Sequence, residues 1–220
     1  MGISVKKVSA IFCNRNKLEE CSQKLRNNLN AGKWVQLLPD EDATRKLIIK
    51  DILAKEAGVI LRSGGSLSEH KQCLHPCSNL DISAFATAQW LRAQGLEPRQ
   101  CNIVNTLPLH HVSGLLAWWR SCCWGAEHLW IKPSMLHLPK QLDEAVHRMA
   151  SKNRGPLLTS LVPTQLSRLI DDSSGVKCLQ LFSVIWIGGA SISESLAAKA
   201  RSLGIRLAPV SYTHLRAHET

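Results

Sequence analysis

No apolar run of 18 residues occurs in the chain, so no membrane-spanning helix is expected. No secretory apolar core follows the start, because MGISVKKVSAIFCNRN soon turns polar. A cytoplasmic, reducing setting is the expectation. Several chemical signatures are also missing. There is no G-x-x-x-x-G-K-[ST] loop for a nucleotide and no H-E-x-x-H for a zinc hydrolase. There is no G-x-G-x-x-G for a dinucleotide and no G-x-S-x-G elbow for a serine nucleophile. Acidic residues are scarce, with Asp+Glu 17 against Lys+Arg 27 and a net charge of +10. That balance raises the alternative of a basic nucleic-acid-binding protein or a membrane surface. The positives are scattered, however. The densest groups are Lys6-Lys7 and Arg45-Lys46, and no basic stripe with interleaved aromatics exists. A generally basic, soluble surface is the favoured reading.

What is present supports a packed core. The 220 residues are 45% apolar, enough for one domain or two small ones. Eight cysteines occur, and Cys73 and Cys77 lie near His70 and His75. That group suggests zinc, but a structural site wants a second, comparably spaced pair, and Cys122 and Cys123 are directly adjacent. Ordinary thiols are expected, with no metal site.

Residues 1–58 read as a helical leader. In KLEECSQKLRNNL, Leu18, Cys21, Leu25 and Leu29 fall near one helical face. EDATRKLIIKDILAKEAG reads as a second helix, closed by Gly58. A strand starts at Val59 and runs into a Gly/Ser loop. SNLDISAFATAQWLRAQG reads as a helix capped by Ser78 or Asn79, with Ile82, Phe85, Ala86 and Trp90 supplying much of its buried face.

Alternation then becomes regular. Strands are expected at 101–107, EHLWI, PLLTSL, 181–187 and IRLAP. Helices are expected at SGLLAWWRSCCW, LPKQLDEAVHRMA, PTQLSRLID and SISESLAAKARSLG, the last capped by Ser191 with Glu194 completing a capping box. This pattern predicts an α/β domain with a mostly parallel sheet and flanking helices. Ligand sites in such sheets lie beyond the carboxyl ends of the strands, where LPLHHVSG, SLVPT and IGGAS all fall.

Each of these loops has two readings. In LRSGGSLSEHK, Gly64 and Gly65 permit bends that expose successive N–H groups, and Ser63, Ser66, Ser68 and Lys71 add hydroxyls and charge. Together they fit a polyphosphate, or simply a turn. Gly188 and Gly189 allow a flat ligand to approach the backbone, or form a tight turn before a helix. His110 and His111 are poor joint metal ligands, since adjacent side chains rarely converge on one ion. A histidine at a strand end lines a pocket or donates to an anion, unless it only completes a turn.

Taken together, four stretches resemble the adenylate-forming (AMP-dependent) acyl-CoA synthetase/ligase family. LRSGGSLSEHK stands at the family's phosphate loop. TLPLHHVSGLLAWWRS is similar to its LPLYHVSG segment, LLTSLVPTQLSRLI to its SLVPTQL segment, and VIWIGGASISESLAAKARSLGI to its GGAPI segment. The resemblance covers about residues 59 to 209, and implies that 59–210 are part of an N-terminal synthetase/ligase domain. The phosphate loop departs from the family pattern. Ser66 to Lys71 carries no second glycine, and Glu69 places a negative charge near the anion. After LAPV the family has Tyr-Gly-x-Thr-Glu, whose Glu helps hold magnesium. Here SYTHLRAHET stands instead, with Tyr212 followed by Thr213 and Glu219 out of register. Residues 211–220 resemble a translated sequencing-adapter tail and are expected to be non-native.

The resemblance implies an ATP-dependent acid–CoA ligase acting through an acyl-adenylate, with ATP, Mg²⁺ and coenzyme A as co-substrates. The LPLHHVSG and SLVPTQL wording favours 2-succinylbenzoate, the acid of menaquinone and phylloquinone synthesis. By resemblance, Ser63, Gly64, Gly65, Ser66, Ser68 and Lys71 surround the β- and γ-phosphates. His111, Ser113 and Gly114 border the acyl group. Ser160 and Thr164 lie near the phosphate–carboxylate junction, and Gly188, Gly189 and Ala190 line the gap between adenine and acyl group. The family's catalytic lysine and magnesium-holding glutamate are absent, so no catalytic set is complete and an inactive chain is expected. An α/β binding or structural fragment is the alternative.

Overall fold

A computed structural model describes residues 8–40, 55–62 and 72–209. They form two compact units, one from the described residues among 8–90 and 108–123, the other from 91–107 and 124–209.

The first unit carries a four-stranded sheet. Its strands are β1 (Val8–Cys13), β2 (Trp34–Pro39), β3 (Gly58–Arg62) and β4 (Gln72–Pro76), in that spatial order. β1, β2 and β3 are parallel neighbours, whereas β4 runs antiparallel to β3. The leader is therefore not helical throughout, since β1 and β2 flank α1 (Leu18–Asn30). Both strands are short and apolar, and β2 is buried almost end to end. Such runs cannot be told from buried helix by periodicity alone. α1 itself buries Leu18, Cys21, Leu25 and Leu29, as its spacing predicts. The second helix expected in the leader lies outside the described residues, apart from its end.

α2 (Cys77–Ala93) starts one residue before the expected cap. Ser78 does not cap it. Its N–H and hydroxyl instead donate to the Glu56 carboxylate at 3.2 and 2.7 Å, and a negative group there suits the helix N-terminus. The expected buried face is also reversed. Leu80, Ala84, Ala88 and Leu91 are buried, while Ile82 and Phe85 are 66% and 60% exposed and Trp90 is exposed too. Ala86 is also on the exposed side.

The second unit carries β5 (Asn102–Asn105), β6 (Glu127–Trp130), β7 (Leu157–Leu161), β8 (Phe182–Ile187) and β9 (Leu207–Pro209). The spatial order is β6-β5-β7-β8-β9, with every neighbouring pair parallel. Its helices are α4 (Pro139–Lys152), α5 (Pro163–Ile170), α6 (Ser173–Gln180) and α7 (Glu194–Ser202), while α3 (Val112–Trp124) lies almost wholly in the first unit. Pro139 and Pro163 open their helices, where a missing N–H is harmless. Val146 of α4, Leu166 of α5, Cys178 of α6 and Ile185 of β8 meet in one core.

Two details differ from expectation. Ser193, not Ser191, caps α7, its hydroxyl accepting from Leu196 N. α6 was not expected, because Ser-Ser-Gly reads as loop. Asp172 starts it by accepting from the N–H groups of Ser174 and Gly175.

Candidate ligand site at the strand ends

The parallel sheet of the second unit sends the ends of β5, β7 and β8 to one edge. Asn105 is in register with Ser160, and Ser160 with Trp186. Residues following those strands therefore lie side by side: Thr106 and Leu107, then Val162 to Thr164, then Gly188 to Ala190.

Hydrogen bonds fix these ends. Thr106 Oγ1 donates to the Ser160 carbonyl at 2.8 Å, and Gly188 N donates to the Leu161 carbonyl at 3.2 Å. Val162 N donates to Gln165 Oε1 at 2.9 Å, which closes the turn into α5. Thr164 is left exposed in the first turn of that helix. Backbone N–H groups at such an end favour an anion. Gly189 has φ +84, a conformation that L side chains rarely adopt, and a Cβ there would lie 3.1 Å from Val162 Cγ1. Gly189 and Ala190 are exposed, so backbone is offered directly to the edge. The structure thus brings together Ser160, Thr164, Gly188, Gly189 and Ala190.

Several polar groups at this edge were missed by sequence reasoning. Asn105 is 1% exposed, and its Oδ1 accepts from Leu107 N at 3.2 Å. That leaves Asn105 Nδ2 to face His128 Nε2 at 3.3 Å. Nε2 must then be the unprotonated acceptor. Burial pushes the His128 imidazole down to about 4, which keeps it neutral near neutral pH. Thr159 Oγ1 donates to the Val104 carbonyl at 2.7 Å. The signal was the occurrence of Asn102, Asn105 and Thr159 inside apolar strands, since a buried polar group demands partners.

The histidine segment belongs to the first unit. His111 N donates to the Pro108 carbonyl at 3.0 Å, and the His111 carbonyl accepts from Leu115 N at 2.9 Å. The segment is therefore a turn that opens α3. The His110 and His111 rings lie 4.5 Å apart between centroids, tilted by 45°. His111 is exposed as a residue, yet its ring is held below the ordinary histidine range, first by desolvation and then by the charge of Arg15. Ser113 is half-buried and Gly114 is buried in the first turn of α3. Ser63, Gly64, Gly65, Ser66, Ser68 and Lys71 lie outside the described residues, as do 211–220.

Among the described residues, no group of three or more His, Cys, Asp or Glu side chains could hold a metal ion. The eight cysteines are free thiols. No helix among these residues is long and apolar enough to cross a membrane.

No family model matches the chain, and no curated protein matches it. Solved structures do. An O-succinylbenzoate coenzyme A synthetase from Bacillus subtilis, in complex with AMP, has a TM-score of 0.59 at 15% identity over 95% of this chain and 50% of that one. The Bacillus subtilis synthetase with its acyl-adenylate intermediate has a TM-score of 0.59 at 16% identity, covering 93% and 61%. A malonyl-CoA ligase with methylmalonyl-CoA and AMP has a TM-score of 0.64 at 15% identity, covering 92% and 50%. The fold is that of the N-terminal domain of adenylate-forming ligases. At such identities the likeness speaks for fold. The chain spans about half the length of most of these solved chains.

Proposed function

We propose that these segments belong to an ATP-dependent acid–CoA ligase that works through an acyl-adenylate, with 2-succinylbenzoate as the acid. The observation that carries the reading is the shared edge of Thr106, Ser160 to Thr164 and Gly188 to Ala190. It occurs in a fold whose solved examples include complexes with AMP and with an acyl-adenylate.

In this reaction a carboxylate oxygen attacks the α-phosphorus of ATP, and the bond to pyrophosphate breaks. Coenzyme A thiolate then attacks the acyl carbon, and AMP leaves. The carboxylate is already nucleophilic, so the first step needs placement and charge stabilisation rather than a strong base. The backbone from Gly188 to Ala190, exposed at Gly189 and Ala190, admits the flat part of an adenylate. The N-terminal turn of α5, with Thr164, faces the developing negative charge. His111, Ser113 and Gly114 are assigned to the acyl wall, and a neutral His111 donates one hydrogen bond to the acid. The loop from Ser63 to Lys71 is assigned to the β- and γ-phosphates, where Glu69 opposes the anion.

Binding of a non-hydrolysable succinylbenzoyl-adenylate analogue, measured by calorimetry, tests the reading on the chain itself. Gly189→Val should weaken binding by about tenfold or more, through lost backbone approach. His111→Ala should weaken the acylated analogue more than AMP. Equal losses would make His111 a turn residue only. Absence of binding, alongside pyrophosphate release by a longer chain that contains these segments, would favour an inactive fragment. Preference for another acid would keep the chemistry and replace the substrate.

A further inference from the structure

Away from the strand ends, α1 and α3 border a cavity of about 300 Å³ in the first unit. Arg26 and Asn30 line it from α1, and Trp118, Trp119, Cys122 and Cys123 from α3. The two adjacent thiols project about 100° apart around the helix, and they meet opposite charges. Arg26 Nη2 donates to Cys122 Sγ at 2.8 Å, while the Arg26 guanidinium lies 5.8 Å from the Trp118 ring centroid. Cys123 Sγ donates to Asp81 Oδ1 at 3.5 Å, and the same oxygen accepts from Trp119 Nε1 at 2.9 Å.

This arrangement sorts the pair. A guanidinium beside Cys122 draws an anionic reagent towards that sulfur. The indoles supply an apolar wall for the reagent's body. Cys123 meets a carboxylate instead. Burial, followed by the hydrogen bond and charge of Asp81, pushes its thiol up to about 12.

We propose that Cys122 is a thiol–disulfide exchange site for small disulfides that carry a carboxylate, with Arg26 as the anion-recognising group and Cys123 held as a bystander thiol. The Cys122 sulfur attacks one sulfur of the incoming disulfide. The reagent's S–S bond breaks as the mixed disulfide forms. Its other half leaves as a thiolate and takes the proton that Cys122 lost, so the incoming disulfide is the oxidant and no other is needed. The site is independent of the ligase reading.

The test compares two probes on the intact chain, anionic dithiobis(nitrobenzoate) and neutral dithiodipyridine. Thiolate release is followed by absorbance, and the modified peptide is located by mass spectrometry. With limiting anionic probe, the first adduct should map to Cys122. Cys122→Ser should remove the fastest phase, and Cys123→Ser should retain it. Arg26→Gln should slow the anionic probe about tenfold and the neutral probe about threefold or less, because only the anionic probe loses a charge partner. Arg26→Lys, which keeps the charge, should recover most of the anionic rate. Circular dichroism of each variant excludes unfolding as the cause. A fastest phase that survives Cys122→Ser, a first adduct on Cys123, or equal sensitivity of both probes to Arg26→Gln would overturn the proposal.

Discussion

The two units secure their chains by different means. In the five-stranded unit every strand pair is parallel, and buried polar side chains tie the strand ends together. Asn102 Nδ2 donates to the carbonyls of Asn153 and Gly155 at one end, while Thr106 and Asn105 hold the other. In the four-stranded unit β4 turns back antiparallel, and Gln36, only 1% exposed, has its Oε1 without a hydrogen-bond partner among the described residues. Cys13 and Cys21 are packed there as small apolar groups, and burial pushes the Cys13 thiol up to about 12. A sheet edge meant to present loops needs fixed ends. The five-stranded unit supplies them with buried side chains, whereas the ends of β1 and β2 are joined from a more exposed position, where Asn14 Nδ2 donates to Asp40 Oδ2 at 2.6 Å.

The largest effect should come from breaking the clasp around Gly155. A Cβ there would sit 1.7 Å from the Gln100 carbonyl oxygen and 2.9 Å from Asn102 Nδ2. Backbone would have to move, and Asn102 would lose its partners. Gly155→Ala should therefore destabilise the protein by more than about 3 kcal/mol in urea unfolding. Gly32, in the first unit, is the comparison. Its φ is +72 but a Cβ would meet nothing within 4 Å. Gly32→Ala should lose about 1 kcal/mol, the strain of the backbone conformation alone. Equal losses would remove the distinction drawn between the units.

Two histidines sharpen the same contrast. Protonating His128 would set its N–H against the Asn105 Nδ2 donor inside the sheet. Its pKa is depressed from 6.5 to about 4 in the folded protein, so the unfolded chain takes up the proton first as pH falls. The stabilising contribution is complete above about pH 6.5, declines between 6.5 and 4, and is gone below that. Its size is about 3 kcal/mol at most for a group this buried. His128→Gln should flatten that part of the stability profile. The exposed His111, lowered by desolvation and Arg15, has the same sign, and His111→Gln should change the profile much less. A profile unchanged by His128→Gln would show that burial does not hold the ring in its neutral form.

Legibility of the sequence followed this physical divide. Residues 101 to 209 were readable because strands and helices alternate with recognisable stops. Gly95, Gly125 and Gly204 all take positive φ at helix ends. The candidate edge was legible for a related reason: in a parallel sheet, everything that follows a strand arrives on the same side. The bonds that hold the edge were not legible. Asn105 looks like one polar residue in an apolar strand until His128 and Leu107 are placed beside it. β1 and β2 were hidden as short apolar runs. Ser191 was preferred to Ser193 because only Ser191 has a glutamate three residues on, whereas the backbone turn makes Ser193 the cap.

The smallest effect concerns the outer face of α2, and it tests why the sequence misled there. The helix has two apolar sets at helical spacing. One is Leu80, Ala84, Ala88 and Leu91, and the other is Ile82, Phe85, Ala86 and Trp90. Ranking by side-chain size favours burial of the second set. The fold buries the first, because two alanines allow close backbone approach and leave the bulky groups outside. Phe85→Lys should consequently change stability by no more than about 0.5 kcal/mol, as expected for an exposed position. Ala84→Lys, one residue away at a site 1% exposed, should cost several times as much, through overpacking and burial of a charge. Thermal unfolding of the two variants separates the faces. If Phe85→Lys lost more than about 1 kcal/mol while Ala84→Lys lost less, the helix would be turned the other way, and the buried face of Ile82, Phe85, Ala86 and Trp90 would be restored.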